Sequence, residues 1–368
     1  MSISRVLSPI AIVVGVGIAS VPVADVAYRI AGARSSEDLE GLMTSFGSGG
    51  YRLRPDVYTS ADWYSGYFTV RTDALGLRRG DLQSTATNPG EHTDFVLIGD
   101  SQGFGHMVNF ESSIVGELTR LASESDEFRW HFANLSVGGH HLRNQLELLK
   151  WLRADARVEY DHVVVLLTPY MISSAGRYNS AVVSSDGKLW AANPSSIQKI
   201  KLWAKTHTPL YSVLRNALHN VLGQEQAGVR DLIGFYETGG PYERRVADLR
   251  VALEELQTEA RSAGADVRLV YTPLTLETDF TAVQRFARQA GLNVDVDAPV
   301  RQVTLVAEDL GLPIIHLRPA LRMRAENGEP LSVRGDPHYN PMTNAACAQV
   351  IWSELTKDAG EGLAPAFQ

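Results

Sequence analysis

At 368 residues the chain is long enough to bury a sizeable core, as one large domain or two small ones. Its 44% hydrophobic and 21% charged residues suit a globular protein, and a net charge of −8 with no basic stripe argues against a nucleic-acid-binding surface. The single cysteine, Cys347, excludes an intrachain disulfide; with Val350 and Ile351 at i+3 and i+4 it reads as a small buried hydrophobe.

The chain opens on a candidate membrane segment. Val6 to Ala24 is apolar apart from Ser8, Pro9, Ser20 and Pro22, and no charge appears until Asp25. That length suits the roughly 20 residues needed to cross a bilayer. Val23-Ala24 and Val26-Ala27 also offer small-residue sites for a signal peptidase, although the run is long for a signal peptide. Residues 1–27 are therefore expected to be a transmembrane anchor or a signal peptide, with the remainder exported. Arg5 before the run and Arg29 and Arg34 after it leave the orientation poorly specified.

Residues 28–92 read as a stem and an extended segment. Ser35 to Gly50 is polar and glycine-rich. Tyr51 to Leu82 is richer in aromatics, and Tyr67-Phe-Thr-Val-Arg71 alternates like a short strand packed on the main domain. Thr85 to His92 has the composition of a linker.

From Thr93 strand and helix patterns alternate, which is the signature of a parallel α/β sheet. Strands are predicted at Phe95–Gly99, Trp130–Leu135, His162–Thr168, Val267–Thr272 and Pro313–Leu317. Helical patterns follow at Ile114–Leu121, Leu142–Leu152, Tyr242–Ala263, Pro299–Leu310 and Pro341–Leu355. Asn340 suits the N-cap of the last helix and Pro341 its first turn. The expected domain spans residues 93–358, with an insertion at about 170–241 that is a lid, a binding platform or a peripheral helical hairpin.

The chemistry centres on Val96-Leu-Ile-Gly-Asp-Ser-Gln-Gly-Phe-Gly105. A serine on a tight strand-to-helix turn points its hydroxyl into the crevice at the carboxyl end of the sheet, where such folds bind ligands. The helix start beside it offers N–H groups to an oxyanion. A base is offered by Gly335-Asp-Pro-His-Tyr-Asn340, where Asp336 stands two residues before His338 just ahead of the last helix. No cofactor fingerprint is present, and His140-His141 lacks metal-ligand spacing. His106 and His141 lie close to these blocks and read as structural histidines beside the pocket. Gly99-x-Ser101-x-Gly103 also fits the nucleophile elbow of α/β-hydrolases. That fold places several strands before its serine, whereas here the serine follows the first strand.

Three blocks, Gly99-Asp-Ser101, Asn134-Leu-Ser-Val-Gly-Gly139 and Asp336-Pro-His338, come in the order and places of the SGNH/GDSL hydrolase family, which the chain resembles from about Tyr51 to Leu355. Tyr51-Arg-Leu-Arg-Pro55 and Val70–Arg78 also resemble segments that precede the serine block in a bacterial, membrane-anchored group of these proteins. The resemblance implies a flavodoxin-like three-layer α/β/α fold with a five-stranded parallel sheet. It implies Ser101 as nucleophile, with His338 and Asp336 completing a triad. Gly139 would join the Ser101 N–H in the oxyanion hole, and Asn134 would be structural. One departure stands out. The family's third oxyanion donor is an asparagine after strand three, where this chain reads Leu167-Thr-Pro-Tyr-Met171; Tyr170 falls closest and offers a hydroxyl. The expected activity is serine-dependent ester hydrolysis or O-acyl (acetyl) transfer on a carbohydrate or lipid of the cell envelope, without a cofactor. The alternative is a catalytically weak relative that binds polysaccharide or an assembly partner. The sequence does not set the oligomeric state.

Overall fold

A computed structural model describes residues 42–47, 50–63, 66–80, 92–177, 182–183, 189–190, 234–236, 242–278, 284, 287–288, 293–333 and 336–362. In chain order come β1 (Met43–Phe46), β2 (Gly50–Leu53), β3 (Tyr58–Trp63), β4 (Gly66–Thr72), β5 (Arg78–Arg79), β6 (Thr93–Gly99), α1 (Ser101–Phe104) and α2 (Ile114–Ser123). They are followed by β7 (Trp130–Asn134), α3 (Leu142–Ala154), β8 (His162–Leu167), α4 (Pro169–Ser173) and a small ribbon of β9 (Val182–Val183) and β10 (Leu189–Trp190). The last elements are α5 (Tyr242–Ser262), β11 (Asp266–Tyr271), α6 (Ala298–Leu310), β12 (Ile314–His316), α7 (Arg318–Glu326) and α8 (Pro341–Gly362).

The valine- and leucine-rich runs form the middle of one eight-stranded sheet, ordered β12-β11-β8-β6-β7-β5-β4-β3. The first five of these are parallel. Numbered along the chain they read 5-4-3-1-2, the doubly wound order with a switch point between β6 and β8. Every residue of β8 is buried, as expected of a strand covered on both faces. The pleat splits neighbouring residues between two cores. Val96 and Ile98 pack with Leu146 and Leu149 of α3, Leu253 and Leu256 of α5, and Val303 and Val306 of α6. Phe95 and Leu97 pack with Ile114 and Leu118 of α2 and Ile351 and Leu355 of α8. Helices thus cover both faces, and each fully buried Leu or Ile contributes about 1.5–3 kcal/mol over its exposed state.

Two features depart from the sequence expectation. Among the described residues the sheet has eight strands, because β5, β4 and β3 continue it antiparallel beyond β7, joined through the pair Arg78–Asn134. The expected five describe its parallel part alone, and part of the expected stem is sheet. β5 is two residues long and β3 carries Ser60, Ala61 and Asp62, so neither announces itself by an alternating pattern. Helix α7 was also not expected. Only Arg318 and Leu321 are buried along it, which leaves too narrow an apolar stripe to read. Asn340 accepts a hydrogen bond from Thr343 N at 2.9 Å and caps α8.

The candidate membrane segment, most of the linker before His92 and most of the insertion lie outside the described residues. Among the described residues no helix is long and apolar enough to cross a membrane.

Candidate functional site

Strand β6 ends at Gly99, and the chain turns into α1 with Ser101 as its first helical residue. Asp100 caps that turn, its Oδ1 accepting from Gln102 N at 2.9 Å. Asp100 Oδ2 accepts from the hydroxyl of Thr168, which follows β8 across the switch point. Burial raises the Asp100 pKa above the ordinary range, against the pull of the Thr168 and Gln102 hydrogen bonds. Gly103 suits the close packing there, since a Cβ would lie 2.6 Å from Ser136 Oγ and would force that side chain to shift. Gly105 ends the turn at φ +78°, a left-handed conformation that favours glycine.

The loop before α8 meets this turn. His338 Nε2 lies 2.8 Å from Ser101 Oγ, and Nδ1 of the same ring is hydrogen-bonded to Asp336 Oδ1. Asp336 Oδ1 also accepts from His338 N at 2.9 Å, so the carboxylate orients both backbone and ring. Burial alone would raise Asp336, but the hydrogen bond and charge of His338 outweigh it and hold the carboxyl below its usual range. The three polar side chains thus form a continuous hydrogen-bonded series at the carboxyl edge of the parallel strands.

Gln102 bridges the two loops. Its Nε2 donates to Pro337 O at 3.4 Å and its Oε1 accepts from Tyr339 N at 3.2 Å, so the amide straddles His338. Tyr339 is buried and donates its hydroxyl to Pro273 O. The ring of His106 stands edge-on to that of His338, with centroids 4.7 Å apart. Burial, helped by the charge of His338, pulls the His106 pKa down to about 3, so it is a neutral wall of the site.

The block after β7 lies on the other side. Asn134 is fully buried and spends its amide within the fold, donating to Gly103 O at 3.1 Å and accepting from Ser136 N at 3.0 Å. A Cβ added at Gly138 would lie 3.8 Å from Ser101 Cβ, so the Gly138-Gly139 backbone runs beside the serine. The hydroxyl of Tyr170 donates to Gly139 O at 3.3 Å and meets His141 Nε2 at 2.7 Å. The direction of the His141 contact follows the tautomer of that ring. Burial, then the charge of Asp100, raises Tyr170 to about 12. His140 donates from Nε2 to Tyr51 O at 2.9 Å, and burial pulls it down to about 3, so it is a neutral packing group. Among the described residues no cluster of His, Cys, Asp or Glu has the arrangement of a metal site.

Sequence reasoning did not single out Gln102, Thr168 or Tyr339. Gln102 and Tyr339 adjoin the motif residues, but nothing in their spacing signals that they pair with each other. Thr168 stands in the Leu167–Met171 segment, where sequence reasoning singled out Tyr170 alone.

No family model matches the chain, and no curated protein matches it. Solved structures similar to it include TesA, with 14% identity, 72% of this chain and 99% of that one covered, and a TM-score of 0.41. A catalytic mutant of the acetylxylan esterase Axe2 from Geobacillus stearothermophilus matches at 13% identity over 72% of this chain and 94% of its own, with a TM-score of 0.41. The psychrotrophic esterase EstA from Pseudoalteromonas sp. matches at 12% identity over 73% and 99%, with a TM-score of 0.40. Likeness at this level assigns no role to any residue here.

Proposed function

We propose that the chain is a serine hydrolase of the SGNH/GDSL type that cleaves or transfers ester-linked acyl groups. The observation that carries this reading is the series Ser101 Oγ, His338, Asp336 at the carboxyl edge of the sheet. Ser101 Oγ attacks the ester carbonyl carbon while its proton passes to His338 Nε2. Asp336 keeps Nδ1 protonated and stabilises the imidazolium. Charge gathering on the carbonyl oxygen falls to backbone N–H groups, those of Ser101 and Gly139 in this reading. His338 returns the proton to the leaving alkoxide, which leaves an acyl-Ser101. Water or an acceptor hydroxyl, deprotonated by the same imidazole, then releases the acyl group.

The substrate class is argued from the sequence. The apolar run Val6–Ala24 suits an anchor or export signal. The proposed substrate is therefore an O-acylated, in the first place O-acetylated, carbohydrate or lipid of the cell envelope, met outside the cytoplasm.

A second reading, a weakly active or inactive binding protein for polysaccharide or an assembly partner, is favoured by one feature. No asparagine stands in Leu167–Met171, directly after β8, and the Tyr170 hydroxyl is already engaged. A missing oxyanion donor costs about a hundred- to a thousandfold in rate.

Acetyl-ester hydrolysis by the full chain decides between them, with Ser101→Ala and His338→Ala compared with and without a sugar acceptor. We expect turnover that each substitution lowers by roughly 10⁴-fold or more. A gain in ester consumption with acceptor identifies transfer. Folded wild type as inert as both variants would reject the enzyme reading.

A further inference from the structure

Arg78 is a fully buried arginine that the mechanism above does not use. It stands on β5, outside the segment expected to form the catalytic domain. Its side chain reaches the back of the turn that carries Ser101. Nη1 donates to Gly105 O at 2.6 Å and to Phe104 O, while Nη2 donates to Val108 O at 2.6 Å and to Thr69 O at 3.3 Å. Each terminal nitrogen thus serves two carbonyls, and three of the four belong to residues 104–108. The guanidinium also lies over the ring of Phe104, 4.5 Å from its centroid.

Three of these carbonyls, those of Phe104, Gly105 and Val108, lie at or just beyond the end of a single helical turn, where carbonyls lack helical partners; Gly105 O also accepts from Val108 N at 3.4 Å. The chain here turns through two left-handed residues, Gly105 at φ +78° and Met107 at φ +69°, the second at a cost because it carries a side chain. Gly105 N and His106 N both donate to Ser101 O, at 3.1 and 3.0 Å. Three of the carbonyls on Arg78 and the peptide of Ser101 therefore belong to one hydrogen-bonded turn. A planar fork spans these acceptors; a lysine ammonium, a point donor with three hydrogens, does not.

We infer that Arg78 is a positioning residue for Ser101, and that the N-terminal strands β2–β5 complete the candidate active site. Tyr51 of β2 makes the second such contact, donating its hydroxyl to Gly138 O at 2.9 Å beside the serine. The inference rests on the reading of Ser101 as nucleophile, and the experiment separates the two.

The full chain is compared with Arg78→Lys, Arg78→Gln and Ser101→Ala. The readouts are the rate of labelling by a fluorophosphonate, kcat and KM for p-nitrophenyl acetate, thermal midpoint, and amide exchange at Gly105 and His106. Labelling and kcat are expected to fall roughly a hundredfold in Arg78→Gln, with KM within about twofold, as displacement of a reacting group by about 1 Å would cause. Arg78→Lys should recover part of that loss. Exchange at Gly105 and His106 should quicken at least tenfold while β6 and β8 keep their protection. Wild-type labelling and exchange in folded Arg78→Lys would overturn the inference. So would its failure to fold at all, which would make Arg78 a requirement of the fold and not of the site. If wild type is not labelled, the nucleophile reading fails, and the exchange measurement alone decides whether Arg78 holds the turn.

Discussion

The turn that carries Ser101 and the loop that carries His338 are held by different means. The serine turn continues a buried strand, is capped by Asp100, and has its backbone and capping groups met by Arg78, Asn134 and Thr168. The histidine loop is held mostly by itself, through Asp336 on His338 N and the His338 carbonyl on Val333 N. Beyond the Ser101–His338 bond, it meets the serine turn, among the described residues, through two hydrogen bonds with the Gln102 amide, one donated to Pro337 O and one accepted from Tyr339 N, 235 and 237 positions away. The serine is fixed by continuity and burial. The histidine is brought to it by a few long-range bonds, so the geometry of the pair is most easily broken on the histidine side.

Gln102→Leu tests this most directly. The change keeps much of the side-chain volume and removes both bridging bonds. Tyr339 N is left buried without its acceptor, which costs about 1–3 kcal/mol. Activity toward an acetyl ester is expected to fall roughly 10- to 100-fold, mainly in kcat, because the imidazole is no longer held in register with Ser101. A Gln102→Leu protein with wild-type kcat would show that the histidine loop supports itself.

The histidine loop leans on a second region whose stability depends on pH. Tyr339 donates to Pro273 O, next to Leu274, whose N–H is accepted by Glu277 at 2.8 Å. Glu277 is buried and also accepts from the hydroxyls of Tyr236 and Tyr271. Burial pushes its carboxyl from 4.5 up to about 7, against the pull of Leu274 N, Tyr271, Arg318 and Tyr236. The folded pKa is thus raised above the unfolded one. Neutral Glu277 contributes its full share of stability below about pH 4.5, and that share is lost as pH rises through about 7. The slope is at most about 1.4 kcal/mol per pH unit. In thermal unfolding from pH 4 to 8, Glu277→Gln should lack this component of the decline. Parallel profiles for variant and wild type would remove Glu277 as its source.

The same division decides what could be read in the chain. Phe95–Gly99 and His162–Thr168 stand within two residues of β6 and β8, because a strand buried on both faces is a continuous apolar run. Ser101 stood out because its environment is local: a strand, a glycine and a turn. Asp336 and His338 stood out as a pair, but their distance from Ser101 is a product of the whole fold. Arg78 gave no signal of burial. A charged residue on a two-residue strand reads as surface, and only the assembled fold supplies the four carbonyls, three from the serine turn and one from β4, that make its burial tolerable.

Tyr170 sharpens the comparison at its finest scale, because it touches the glycine block beside the serine turn and not the histidine loop. Its hydroxyl has one proton. If that proton serves the oxyanion, Tyr170→Phe removes a donor and costs about a hundred- to a thousandfold in kcat. If it stays within the fold, on Gly139 O or His141 Nε2, the substitution removes the hydrogen bonds of the hydroxyl to those two groups. Neither loss touches the reacting atoms, and the ring still packs edge-on against His141 and Phe235. A stability loss of about 0.5–1.5 kcal/mol and a rate change of only a few fold are therefore expected. Steady-state kinetics of Tyr170→Phe on an acetyl ester separate the outcomes by more than an order of magnitude. A loss of a hundredfold or more would mean that the hydroxyl turns from Gly139 to the substrate during turnover and donates to the oxyanion.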